Sequence, residues 1–386
     1  MHRALLLLCC LPTLPLLAVS CGGKTSDAAP TTTDAGSTDT GLTDLDTGAP
    51  IDTGTASETS VPDAEPPHIG LHPPPRPSAV ASGGVRKWFV IDHLYLGTQN
   101  RSTGSSSPNA WQDLGYDLDD RITTADDSKI SNNSCHRRAG SPSGILRDGT
   151  GGIDNNWGAH VMQVVKALRS DAEDLANTNL ADGKTTLLLV LDNVAGDDNA
   201  AVPGAIYVTS PLATPPRFDG SDRYPVLSTS LVDGTSIDRP LTSFPKGYMS
   251  AGVWVSGDRG TDAARIPVPF AGGSLDLPLE SAIISMRVSD GTAGVVSGAT
   301  RDTALEDAIK PWAEALGICP GNATYDQVVS TLTQSVDLVS GAPQLQNTSI
   351  ECNALSIGLG FNAVAVQPST SVVTPPTPPP SPCPPP

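Results

Sequence analysis

The chain reads as a mainly β protein, a β-sandwich or open barrel with mostly antiparallel strands, carrying a helical hairpin and one further helix. Short strand patterns outnumber helical ones, and the helical patterns gather in two places instead of alternating with strands, which argues against a doubly wound parallel sheet. Thr185–Leu191 is an unbroken apolar run bounded by Asp-Gly and Asp-Asn. It is too short for a typical helix and apolar enough for a strand buried on both faces. An α+β arrangement is the alternative.

In chain order, Met1–Arg3 is basic, Ala4–Ala18 is almost wholly apolar, and Ala18-Val-Ser-Cys21 follows. The run is too short to span a bilayer and closes on small residues before a Cys, the pattern of a lipoprotein signal (residues 1–20) cleaved ahead of a lipidated Cys21. Gly22 follows where an Asp would favour the inner membrane, so the expectation is a lipid-anchored outer-membrane protein, periplasmic or surface-facing. Residues 21–83 are rich in Thr, Asp, Ser and Pro with scarcely a large apolar side chain, and read as a disordered tether. The single β-rich domain is expected over 84–367. Residues 368–386, with ten prolines in nineteen positions, read as a polyproline tail.

Val85–Leu96 has the β-branched and aromatic content of a strand. Val161, Val165, Leu168, Ala172 and Leu175 recur at helical spacing. Shorter strands are expected at 204–209, 253–256, 265–270 and 274–279. Ser281–Val288 alternates with Ile284, Met286 and Val288 on one face, and Asp290-Gly291 suggests a tight hairpin into 293–299. Two capping boxes, at Thr303–Glu306 and Thr324–Gln327, each open a helix; Val336 and Val339 extend the second stripe to Gly341. The last strand, 355–366, puts Leu355, Ile357, Leu359 and Phe361 on one face. Ser356, Gly358 and Gly360 on the other would let a second layer approach closely.

The net charge of -18 is spread over tether and domain, so nucleic acid and anionic lipid are disfavoured partners; the membrane is reached through the lipid alone. Four cysteines remain after the signal and Cys21: Cys135, Cys319, Cys352 and Cys383. In an oxidising compartment they imply disulfides. Cys319 and Cys352 bracket one helical segment, which favours pairing them with each other.

The chemistry-bearing stretch is the polar region from Trp111 to Gly158, where side-chain oxygens recur at the short spacing that hard cations require. Placing Ile122 at the apolar eighth position of a calcium loop sets Asp117, Asp119, Thr123 and Asp126 at ligand positions, but leaves Gly115 at the first and Asp120 where glycine is wanted. Asp148, Thr150, Asp154, Asn155 and Asn156 could complete the shell from a second loop. Calcium is the candidate cofactor, with Asp117, Asp119, Asp126, Asp148 and Asp154 as its candidate ligands. Turn and helix capping is the competing role for the same side chains.

The GxSxG, HExxH, GxxxxGK[ST] and GxGxxG patterns are absent. His93, His136 and His160 lack metal-ligand spacing. Cys135-His136-Arg137-Arg138 could activate a thiol, but a secreted Cys in a polar loop is more often a disulfide partner. Carboxylates at Asp219, Asp222, Asp258 and Asp262 could serve a glycan hydrolase, with Trp88, Trp111, Trp157 and Trp254 as stacking platforms. The favoured reading is a non-enzymatic module that binds a glycan or another envelope protein.

The segments Trp111–Asp120, Cys135, Asp148–Gly158, Phe218–Asp222 and Ile357–Phe361 resemble a family of large, uncharacterised lipoproteins from myxobacteria, over most of residues 85–367. The resemblance implies compartment and a shared fold, without an activity or a site. Family members often have Gly where Asp120 stands and Asp where Gly151 stands.

Overall fold

The computed structural model describes residues 71–124, 133–184, 186–260, 263–270, 273–341, 349–377 and 380–384. Its centre is one large, curled, antiparallel sheet shaped as a half-barrel, so the mainly β expectation holds, with four α-helices added. The strands are β1 (Val85–Tyr95), β2 (Leu187–Val194), β3 (Gly204–Val208), β4 (Val226–Leu227), β5 (Thr242–Phe244), β6 (Tyr248–Ser250), β7 (Val253–Val255), β8 (Ala264–Phe270), β9 (Gly273–Arg287), β10 (Gly294–Arg301), β11 (Ala354–Ala365) and β12 (Val372–Val373). The main sheet runs β5-β3-β2-β1-β11-β10-β9-β7-β6, with β8 on the first half of β9. First and last long strands therefore lie side by side, Phe89 opposite Ala365 and Tyr95 opposite Gly360.

The apolar run becomes β2, hydrogen-bonded between β1 and β3. Its alternate side chains serve two cores: Leu187, Leu189 and Leu191 face the concave side, while Leu188 and Val190 pack with Trp88, Tyr207 and Tyr224 on the other. The concave core is covered by α1 (Met162–Leu168), α2 (Ala172–Ala181), α3 (Asp302–Ala315) and α4 (Ala323–Gln334), through residues such as Val165, Ala176, Ile309 and Leu332.

Several boundaries differ from the sequence reading. The single helix expected from Val161 to Leu175 breaks at Arg169, which is extended (φ -144°, ψ 97°), and Leu168 is left exposed. The break turns α2 so that Glu173 is buried, where its carboxylate accepts the Leu96 and Thr98 amides, each at 2.9 Å. Three donors, counting the Thr98 hydroxyl, replace the water this carboxylate gives up. The β9–β10 connection spans residues 288–293 and is no two-residue turn; Asp290 accepts the Thr292 amide, and Gly291 and Ala293 both have positive φ. Helix α4 is capped by Asn322, which accepts the Thr324 amide at 2.8 Å, and ends at Gln334, short of Val336.

The tether and tail expectations also change where the chain is described. Among the described residues of the expected tether, Leu71 donates to the Gly151 carbonyl and accepts from the Asp117 amide. The tail pairs β12 in parallel with β4 and is bonded through Cys383 to Cys319. Cys319 and Cys352 are both in disulfides, but not with each other: the pairs are Cys135–Cys352 and Cys319–Cys383. Cys352 is fully buried against Cys135, where Cys352 N–H bonds His136 O at 2.9 Å, whereas Cys319 lies partly exposed at the α3–α4 turn. The expected pair would have joined a buried to a surface position.

Candidate cation site

The site is built on the bare face of β11. There a Cβ on Gly358 would lie 2.1 Å from the Leu114 carbonyl oxygen, and one on Gly360 would lie 2.5 Å from the Arg101 guanidinium. Glycine at these two positions thus admits the 110–116 segment directly onto the strand, as the small-residue face predicts. Asn155 locks the contact. Its amide nitrogen donates to Trp111 O (3.1 Å) and Leu114 O (3.0 Å), and its oxygen accepts from Gly158 N–H and Gly358 N–H, both at 3.0 Å. Asn156 similarly donates to Ile145 O and Ser335 O, while Thr150 bonds the Asp113 carboxylate. Both polar atoms of Asn155 are thus engaged in protein contacts, and the Asn156 nitrogen and the Thr150 hydroxyl brace the same region.

What this bracing positions is a set of aspartates. Asp117 and Asp119 from the first loop and Asp154 from the second each present one oxygen, all within 4.8 Å of one another. Asp117 is 0% exposed, and Asp119 and Asp154 are 3% exposed. Asp148 joins them electrostatically from the second loop and holds the Thr123 amide. A fifth, Asp337, follows α4; it accepts the Ser356 amide (2.8 Å) and hydroxyl (2.5 Å). Sequence reasoning missed it because the 336–339 stretch continued a helical stripe; an Asp between Val336 and Leu338 was the available signal. Asp126 lies outside the described residues.

Some of the local charge is answered by backbone donors. Asp154 accepts the Leu118 amide at 2.6 Å, Asp119 the Arg121 amide at 2.9 Å, and Asp117 Oδ1 the Asp120 amide at 2.7 Å. Asp117 Oδ2 is buried without a hydrogen-bond partner among the described residues, and faces Gly152 of the second loop. Asp120 adopts φ 62° and turns outward, fulfilling the conformation for which the sixth loop position wants glycine. Its carboxylate meets Arg259 (2.6 Å) and His72 (3.2 Å) at the rim.

Burial, before any other cause, pushes the Asp117 carboxyl up to about 6 and that of Asp337 to about 7. Asp119, Asp148 and Asp154 are raised for the same reason and then by one another's charge. At an effective dielectric of about 20, two carboxylates ~4.8 Å apart repel by roughly 3 kcal/mol. The group needs protons or a cation near neutral pH.

The other candidates do not converge. Asp222 accepts the Arg217 and Phe218 amides and Asp219 the Ser221 amide, both turn contacts, while Asp258 pairs with Arg76; Asp262 lies outside the described residues. Trp88, Trp111, Trp157 and Trp254 are all buried, which removes them as sugar platforms. Cys135 is disulfide-bonded and so is no nucleophile. No helix among the described residues is long and apolar enough to cross a membrane. Comparison with protein families, curated proteins and solved structures finds no match.

Proposed function

We propose that this chain is a lipid-anchored cell-envelope protein of the outer membrane, whose domain is stabilised by calcium in the aspartate cluster and serves as a non-enzymatic binding or structural module. The observation that carries the cation reading is the meeting of Asp117, Asp119 and Asp154 oxygens within 4.8 Å at nearly complete burial. Oxygen-only ligands suit hard cations, and Ca–O bonds of roughly 2.3–2.6 Å place opposed ligands up to about 5 Å apart. The same burial speaks against catalysis, since a carboxylate acting on a glycan must be reached by it. The envelope reading rests on Ala18-Val-Ser-Cys21 and on the acidic 22–69 segment, and a glycan or another envelope protein is the class of ligand it implies.

Calcium should raise the melting temperature of the domain, with Asp119→Asn and Asp154→Asn each reducing the gain. Identical melting curves in millimolar calcium and in chelator would end the cation reading. Cys21→Ala should release the protein from membranes and abolish palmitate labelling; unchanged partitioning would end the anchor reading.

A further inference from the structure

The two acidic loops are joined directly by the Asp154 amide to Tyr116 O and the Asp148 amide to Thr123 O, both at 3.1 Å, and by the Leu118 amide to the Asp154 carboxylate, and a residue of the N-terminal segment adds a further bridge between them. Leu71 N–H donates to Gly151 O at 2.7 Å, and Leu71 O accepts the Asp117 amide at 3.0 Å. Gly151 sits in the turn Thr150–Gly152 that leads into Asp154; Asp117 is itself a member of the cluster. The Leu71 side chain is 49% exposed, so its backbone makes the connection. The neighbouring residues fix the segment. His72 meets the Asp120 carboxylate at 3.2 Å, Tyr248 donates to Pro74 O at 2.6 Å, and Arg76 bonds Ala200 O at 2.7 Å while lying over the Tyr248 ring. Arg259 donates to the Asp117 carbonyl at 2.9 Å from the same side.

A second observation points to a ligand between these loops. Asp117 is fully buried, and its Oδ2 has no hydrogen-bond partner among the described residues although it faces the second loop at Gly152. We propose that Leu71 is a positioning residue of the cation site, its peptide groups bracing the Gly151 turn against Asp117 beside the direct Tyr116–Asp154 and Leu118–Asp154 contacts, so that the two loops keep the separation at which one divalent cation is shared between them. This rests on the calcium reading above and deepens it: the segment preceding the domain becomes part of the site. Because coupling is reciprocal, a cation that needs this spacing also holds the segment in place.

The test uses the full chain. Leu71→Pro removes the donor to Gly151, and Leu71→Ala keeps both backbone hydrogen bonds. Titration calorimetry with calcium chloride should show binding about 5-fold weaker for Leu71→Pro, the equivalent of one lost hydrogen bond, with Leu71→Ala unchanged. Arg76→Ala, which frees the segment from its other end without touching the loops, should weaken calcium in the same direction. A merely structural role would lower the melting temperature equally in calcium and in chelator and leave the dissociation constant unmoved, and that result overturns the proposal. Wild-type protein that binds no calcium overturns the underlying reading, and this proposal falls with it; wild type that binds while Leu71→Pro binds equally well overturns this proposal alone.

Discussion

Raising the pH of the calcium-free domain from about pH 5 to about pH 8 perturbs the aspartate cluster without changing a residue. The sign follows from linkage. A carboxyl whose folded pKa lies above its unfolded value contributes stability that is complete below the unfolded pKa and is lost as pH rises through the folded one. Asp337 moves from an ordinary value of 3.8 to about 7, chiefly because it is buried, so the loss falls between those limits. At ~1.4 kcal/mol for each tenfold change in proton affinity, Asp337 loses roughly 3 kcal/mol between pH 5 and pH 8, and Asp117, raised to about 6 by burial, adds about 1 kcal/mol in the same direction. For a domain of this size that is a drop of roughly 10 °C in melting temperature. Carboxylates with depressed values, such as Asp233 among its backbone donors, titrate below this window and do not oppose the effect. Calcium replaces protons as the neutralising charge, so the pH-dependent loss should vanish when it is present. The assay is thermal unfolding at constant ionic strength in chelator and in calcium, with Asp337→Asn as the control that flattens the chelator profile. Parallel pH profiles in the two conditions would refute the electrostatic account of the cluster.

Gly358→Ala places a methyl 2.1 Å from Leu114 O and 2.9 Å from the Asn155 amide nitrogen, neither of which can move without lifting the loop from β11. It should cost about 3 kcal/mol, more than Gly360→Ala, whose nearest neighbour is the end of the flexible Arg101 side chain; denaturant unfolding with equal losses would contradict the packing argument. Mild reductant should open the partly exposed Cys319–Cys383 bond first and leave the buried Cys135–Cys352 bond intact until unfolding. Peptide mapping under non-reducing conditions should find these two pairs, and linkage of Cys319 to Cys352 would overturn the assignment. In the chain-entropy account the tail bond contributes about 4 kcal/mol, so Cys383→Ser should lower stability measurably.

The strands were legible because their patterns are local. Leu187–Leu191 has no polar face to expose, and the alternation of Leu355, Ile357, Leu359 and Phe361 with Ser356, Gly358 and Gly360 states which side is core and which side admits a second layer. The helix break at Arg169 was not legible, because the apolar spacing continues through it; what decides the break is the demand of Leu96 and Thr98 for the Glu173 carboxylate, a contact between segments far apart in the chain. Proline content made the C-terminal tail read as disordered, and a covalent bond at Cys383 overrides that composition. At the site, the density of oxygens at Asp117, Asp119, Asp148 and Asp154 was visible in sequence. Whether a given oxygen faces the cluster or a backbone amide was not. Asn155 has the composition of a ligand and the geometry of a brace.

The same distribution bears on how cation binding relates to folding. Asp117 and Asp119 reach the cluster from the loop after β1, Asp154 from the approach to α1, Asp337 from beyond α4, and Leu71 from ahead of β1. Asp337 is held by Ser356 of β11, the same strand whose glycines admit the 110–116 segment. Ser134, whose hydroxyl donates to the Asp337 carbonyl, is joined through Cys135 to Cys352, two residues before β11. No short peptide of this chain contains the site; it exists only when β11 has been inserted between β1 and β10. On the calcium reading proposed above, affinity for the cation would be free energy of folding, absent from the unfolded chain, and the cation would stabilise the sheet that assembles its site.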